Sequence, residues 1–315
     1  MTLPEKNSEN KALNMTTVTF GDFTWLDIVQ PTKETIKYLS VRYNFSPLDL
    51  EDAMSPLQVS KVEEYPDYLF IIFNLSVFDK LTRRSSRKQW SAFVGPNYLV
   101  TLRPPEFKFA GEVLTECELK EEARKEYLSQ GSGYLLYRIL DHAIDRYFRV
   151  LDKILDFLED IEDDVFKEEV EVAPQLSILR RDIIIQRQVM FPTRSLLAEL
   201  EKKLKPFSKI DLTLYFSDLM DHMNKVCDTL DEYTEIIDVF KDTDYLLSAY
   251  RANRTIRTLA LFLAIVLPFL FVVGVYLILP TSLDKSSPQA LGILLGSVAV
   301  VIGLILFFLN RRRLI

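Results

Sequence analysis

Glycine is scarce in this chain. Nine of 315 residues are glycine, and none lies between Gly133 and Gly274. So long a run without the residue that turns and breaks helices, yet rich in Leu, Ile, Asp, Glu, Lys and Arg, predicts near-continuous helix. Cysteine occurs only as Cys117 and Cys227, which excludes a disulfide framework. Both are expected to be plain thiols on the cytoplasmic side, where disulfides are rare. Histidine is equally sparse. His142 and His222 each follow an Asp, but a zinc site needs three or four converging ligands, and two histidines 80 residues apart do not show one. Each is expected to sit solvated or half-buried on its helix. The chain also lacks a P-loop, a dinucleotide fingerprint and any Ser/His/Asp spacing of note. No enzyme, no catalytic residue and no cofactor is expected. The opening "MTLPEKNSENKALNMTT" has no apolar h-region, so no signal peptide is expected to be removed, and residues 1–16 read as a disordered tail.

Hydrophobic residues make up 48% of the chain, and their distribution is lopsided. Thr258–Leu279 runs 22 residues without a charge, and Ala290–Leu309 another 20. A helix needs about 20 apolar residues to span the hydrocarbon, and the core helices of soluble proteins keep a polar edge, so both read as membrane spans with the lipid bilayer as partner. Arg251, Arg254 and Arg257 precede the first, and Arg311, Arg312 and Arg313 follow the second. The loop between them holds one Lys and one Asp. The positive-inside rule then predicts a multi-pass protein of the cell (inner) membrane with both termini cytoplasmic. Residues 251–315 carry a net charge of +6, which leaves −13 on residues 1–250. That acidic cytosolic mass argues against nucleic acid as a partner and suits cations.

Before the glycine-free run the pattern is mixed. "YLFIIFNLSVF" reads as a strand covered on both faces, and "WSAFVGPNYLVTLRPP" as a hairpin turning at Gly95-Pro96-Asn97. "PTKETIKYLSVRYNF" and "SPLDLEDAM" read as short helices with Pro just inside each start. Within the run, Leu140, Ile144, Tyr147, Leu151, Ile154, Leu158, Ile161 and Val165 step by four and three, a seam that packs along a partner helix. Pro174 allows a new helix, and Pro192 interrupts or kinks it. Leu212, Phe216, Leu219, Met223, Val226, Leu230, Tyr233, Ile237 and Phe240 form a second seam, on a helix that nothing obvious stops before the membrane. Such a seam on so long a helix calls for identical neighbours. Two spans cannot line a pore alone, so the alternatives are an oligomeric channel and a membrane anchor for a cytosolic module.

The stretches "WLDIVQPTKETIKYLSVRYNFSPLDLEDA", "KVEEYPDYLFIIF", "YLLYRILDHAIDRYFRVLDKILDFLEDIEDDVF" and "DYLLSAYRANRTIRTLALFLAIVLPFLFVVGVY" follow one another as in a known family. From Thr24 onward the chain resembles the CorA family of magnesium and divalent metal ion transporters. The resemblance implies an α+β membrane protein, a homopentameric CorA-like funnel with a cytosolic α/β/α domain, a long helical stalk and two C-terminal transmembrane helices. The boundaries expected are 17–130 for the α/β domain, 131–257 for the outer helices and stalk, 258–279 for the pore-lining helix, 280–289 for an extracytoplasmic loop, 290–309 for the second span and 310–315 for a basic cytoplasmic end.

The resemblance also implies roles for particular residues. The pore would be lined by Asn253, Ile256, Leu259, Leu263, Leu267, Leu270, Gly274, Leu277, Ile278 and Leu279. Arg251, Arg254, Arg257, Arg311, Arg312 and Arg313 would form a basic neck. Asp79 and Asp218 match the family's regulatory metal site between neighbouring subunits, where a divalent cation relieves the repulsion of paired carboxylates. The acidic run from Asp152 to Glu171 is expected to be a solvated face. This chain departs from the family at the pore mouth. Gly274-Val275-Tyr276 is kept, but Leu277-Ile278-Leu279 stands where the family has Gly-Met-Asn, whose amides accept from the waters of Mg²⁺, an ion that dehydrates reluctantly. A divalent cation is therefore expected as substrate and regulatory ligand, with selectivity altered or lost. The alternative is a non-conducting regulatory or scaffold protein anchored in the membrane with the same fold.

Overall fold

The computed structural model describes residues 14–55, 58–79, 84–165, 167, 172–278, 292, 296–300 and 302–303. Residues 1–13, the loop 280–289, most of the second apolar run and Arg311, Arg312 and Arg313 lie outside the described residues. Contacts divide the chain into residues 1–241 and 242–315.

The first unit opens with strands β1 (Met15–Phe20) and β2 (Phe23–Val29), joined by a tight turn at Gly21, whose φ of 57° suits glycine. β1 thus begins inside the stretch read as tail. Helices α1 (Lys33–Tyr43) and α2 (Pro47–Met54) follow. Pro47 occupies the start of α2 as expected, whereas Pro31 precedes the N-cap of α1. There Thr32 and Thr35 cap each other reciprocally, satisfying two backbone donors that the first turn leaves free. Strands β3 (Lys61–Glu64), β4 (Leu69–Asp79), β5 (Arg84–Val94) and β6 (Tyr98–Arg103) complete a sheet in the order β1-β2-β6-β5-β4-β3. Only the β2–β6 pair is parallel.

The sheet is covered on both faces, which is why β4 reads as an unbroken apolar run: Phe70, Ile71, Ile72 and Phe73 are all fully buried. On one face Phe70, Ile72, Phe93 and Leu102 pack with Leu39, Phe45 and Leu50 of the α1–α2 segment. On the other, Phe73 stacks on Trp90, which meets Phe109 of α3 (Lys108–Leu119), and α3 leads through α4 (Glu121–Ser129) to the long helices. A buried ion pair fixes the parallel strands: Arg103 donates to both carboxylate oxygens of Asp27 and to the carbonyl of Phe107, and Thr101 donates to Asp27.

Three helices dominate the rest: α5 (Ser132–Val165), α6 (Ala173–Leu204) and α7 (Thr213–Ile278). Gly131, with φ 95°, permits the entry to α5, because a Cβ there would stand 2.7 Å from the carbonyl oxygen of Phe207. α6 runs on through Pro192. All eight seam residues of α5 are buried.

The seam of α7 is filled differently from the expectation. Phe216, Leu219, Met223, Val226, Leu230, Tyr233 and Ile237 are buried within the single chain. Phe216 meets Tyr137, the Tyr233 hydroxyl donates to the Leu151 carbonyl, and Arg187 of α6 pairs with Asp231. Periodicity marked a seam that needs covering and was read as calling for identical neighbours, but this part of it is covered by α5 and α6 of the same chain. This part of the seam therefore leaves nothing for a neighbouring copy.

Candidate metal centre and the apolar helix

α5 and α7 bring a mixed donor set together. Asp218 and His222 are spaced i, i+4 on α7 and so share one face, and Asp141 of α5 faces them. One donor atom from each lies within 4.8 Å of the others. Aromatic packing holds the two helices in this register: the Tyr137 ring lies 5.1 Å from Tyr215, and the His222 ring stands edge-on to Phe148 at 6.0 Å. Asp141 and His222 are half-buried, and Asp218 is exposed. Arg138 donates to Asp141 at 3.2 Å. Burial pushes the Asp141 carboxyl above the usual range, and the neighbouring Asp145 charge adds to this against Arg138 and the two histidines. His222 Nδ1 is itself buried and makes no hydrogen bond among the described residues; the Asp145 carboxylate stays 3.9 Å away.

A first-row divalent ion at about 2.0–2.2 Å from each donor holds adjacent ligands roughly 3 Å apart and opposite ones about 4.3 Å apart. The 4.8 Å spread therefore suits an ion after side-chain shifts of about half an ångström, or a hydrated ion bridged by its own waters. One imidazole with two carboxylates suits Co²⁺, Ni²⁺ or Zn²⁺ as well as Mg²⁺.

Sequence reasoning named Asp218 for a metal and left out Asp141 and His222, reading His222 as solvated or half-buried on its helix, and it is half-buried. What that reasoning missed is geometric. The ligands come from helices far apart in sequence, and the only local signal was the i, i+4 spacing of Asp218 and His222. His142, on the same helix as Asp141, is not part of the group. Asp79 closes β4 opposite Arg84, and its side chain lies outside the described residues.

The expected lining residues continue along α7. Asn253, Ile256, Leu259, Leu263, Leu267, Leu270 and Leu277 are exposed in the single chain and Gly274 is half-buried; the side chain of Ile278, and Leu279 altogether, lie outside the described residues. At about 100° per residue the positions from Asn253 to Leu277 fall within an arc of roughly 120°, and Arg254 falls on the opposite face. Arg251 is half-buried and Arg257 exposed. Among the described residues α7 is the one helix long and apolar enough to cross a membrane, and none of its apolar stretch is buried: most of these side chains are exposed, and Leu261, Ala264, Val266 and Pro268 are half-buried. Pro268 lies inside it without ending it, and membrane helices tolerate an internal proline.

Comparison with known proteins gives three consistent findings. The profile of a family described as "CorA-like Mg2+ transporter protein" matches residues 20–312. The cobalt/magnesium transport protein CorA of Thermotoga maritima is 24% identical over 256 residues, covering 80% of this chain and 72% of the relative, and the zinc transport protein ZntB of Yersinia pseudotuberculosis is 26% identical over 146 residues, 46% of this chain and 45% of ZntB. The solved structure of the CorA magnesium transporter from Methanocaldococcus jannaschii superposes with a TM-score of 0.78 at 22% identity, over 93% of this chain and 92% of that one. The fold is shared across nearly the whole length.

Proposed function

This chain belongs to the CorA-like Mg²⁺ transporter family, and on that premise we propose that it carries divalent metal cations across a membrane as a homopentamer. The observation that carries the reading is the exposed apolar length of α7, which in water would be a large hydrophobic liability and which a bilayer and neighbouring copies would cover. The two apolar runs and their flanking arginines support a two-span topology with both termini cytoplasmic. In this reading Asn253 stands at the inner end of the pore, the apolar arc from Ile256 to Leu277 lines it, and Leu277, Ile278 and Leu279 form its outer mouth. Five copies of Leu277 at that mouth offer no acceptor to a hydrated ion. An ion entering such a ring forfeits hydration, a cost of several kcal/mol even after relaxation, so the conducting state widens this end or favours cations that exchange water readily. Relief of carboxylate repulsion by a bound divalent cation at Asp141, Asp218 and His222, with Asp79 of a neighbouring copy near Asp218, would couple cation level to assembly. The membership supports metal ion transport rather than catalysis.

The test is replacement of Leu277-Ile278-Leu279 by Gly-Met-Asn, with uptake of Mg²⁺ and Co²⁺ followed in proteoliposomes. The replacement is expected to raise Mg²⁺ entry relative to Co²⁺. Strong, Mg²⁺-selective uptake by the unaltered chain would defeat this account of the pore mouth.

A further inference from the structure

Apart from the metal centre and the apolar helix, the described residues contain a cavity of about 530 Å³ between α5 and α6, a size typical of small-molecule sites. About half of its lining is apolar: Ile154 and Ile161 come from α5, Ile178 and Leu179 from α6. Its polar groups are mostly of one sign. Asp160, Asp163, Asp164 and Asp182 line it against Arg84 and Lys167, and Lys167 already pairs with Asp164 at 2.7 Å.

Asp182 is the informative member. It is 6% exposed and takes hydrogen bonds from the backbone N–H of Ser85 at 2.5 Å and from the Ser85 hydroxyl at 2.9 Å. Gln186 donates to that same hydroxyl, and Gln186 in turn accepts from Tyr147 and Ser76. Every one of these groups is neutral. Among the described residues no Lys, Arg or His forms a salt bridge to Asp182, and burial pushes its carboxyl upward. A buried carboxylate with neutral donors only is costly unless a cation compensates it.

We propose that this cavity binds an aliphatic ammonium compound, its hydrocarbon stem on Ile154, Ile161, Ile178 and Leu179 and its cationic head at Asp182, with the acidic rim taking a second charge. The lining chooses among ligand classes. A phosphate would meet four carboxylates, and a hydrated metal ion would gain nothing from the apolar walls. An alkylammonium uses both. The bound cation would supply the counter-charge that the Ser85–Gln186–Tyr147 network does not.

The experiment is equilibrium dialysis of hexane-1,6-diamine against the full-length protein in detergent, with hexane-1,6-diol, ethylenediamine and Mg²⁺ as comparisons. The diamine is expected to bind at one site per chain. Asp182→Asn, which keeps the shape and one acceptor, should weaken it at least tenfold. Ile178→Arg, a change at the half-exposed edge of the cavity that keeps the test valid should the Asp182 variant misfold, should do the same by placing a cation where the ligand would lie. The diol, which has the stem without the charge, and ethylenediamine, which has the charges without the stem, should bind at least tenfold more weakly. Retained affinity in both variants would overturn the proposal, as would equal binding of the diol or displacement of the diamine by Mg²⁺ at equal charge, which would indicate only an acidic surface.

Discussion

Removing one donor from the Asp141–Asp218–His222 group separates metal binding from folding. The three donors converge within 4.8 Å, so a divalent ion that enters binds the folded state alone and raises the melting temperature by mass action. At 100 times its dissociation constant the gain is about 2.7 kcal/mol. For a unit of this size (residues 1–241) each kcal/mol moves the transition by roughly 2–4 °C, so Co²⁺ should raise it by about 5–11 °C. If His222→Ala or Asp141→Asn weakens the site 100-fold, the same Co²⁺ gives about 0.4 kcal/mol, a shift of roughly 1 °C. Asp141→Asn makes a second, opposite demand. The folded pKa of Asp141 is raised, first by burial, so its favourable contribution is the protonated form's, present at low pH and lost as pH rises through the folded value. At neutral pH its charge is a cost that Asn removes, so the metal-free variant should melt no lower than the parent. Metal affinity should fall as pH falls, because metal ligands bind in their deprotonated forms. Differential scanning fluorimetry with and without Co²⁺, from pH 5.5 to 8, reads all of this. A full Co²⁺ response in both variants, or an Asp141→Asn protein that melts well below the parent without metal, would refute the reasoning.

Other expectations follow from burial and helix register. Leu230 is fully buried, so Leu230→Asp should cost at least about 5 kcal/mol by loss of packing plus a buried charge and abolish the cooperative melt seen by circular dichroism; a folded monomer from this variant would mean that the seam lies between copies after all. Asp27→Ala strands the buried guanidinium of Arg103 and should cost about 3–5 kcal/mol, read from urea midpoints, whereas a change under about 1 kcal/mol would mean that water replaces the carboxylate. Arg254→Glu, on the face of α7 opposite the lining arc, should leave transport selectivity unchanged, and a change in the ratio of cations carried would rule out that register.

Much of the fold was legible because the signals were local or periodic. The hairpin of β5 and β6 announced itself through Gly95-Pro96-Asn97, the buried strand β4 through its unbroken apolar run, and the three long helices through the absence of glycine and the step of three and four. The partner of a seam is a different kind of fact. Leu219 and Leu230 look the same whether α5 of the same chain or a second copy covers them, and only the packed chain distinguishes the two. The metal centre was half legible for a related reason. Asp218 and His222 share a helix face, but Asp141 lies on another helix, and no spacing along the chain encodes that crossing. The cavity wall at Asp182 was invisible, since a lone Asp within "LRRDIII" reads as one more solvated charge until the Ser85 backbone is found beside it.

The central claim, that this chain moves divalent cations through an assembly of its own copies, is tested most directly by the initial rate of Co²⁺ entry into proteoliposomes, normalised to protein whose assembly has been fixed by native mass measurement. The account predicts saturable entry well above that of empty vesicles. Fully assembled protein that admits none of Mg²⁺, Co²⁺, Ni²⁺, Zn²⁺ or Mn²⁺ above the empty-vesicle rate would contradict it.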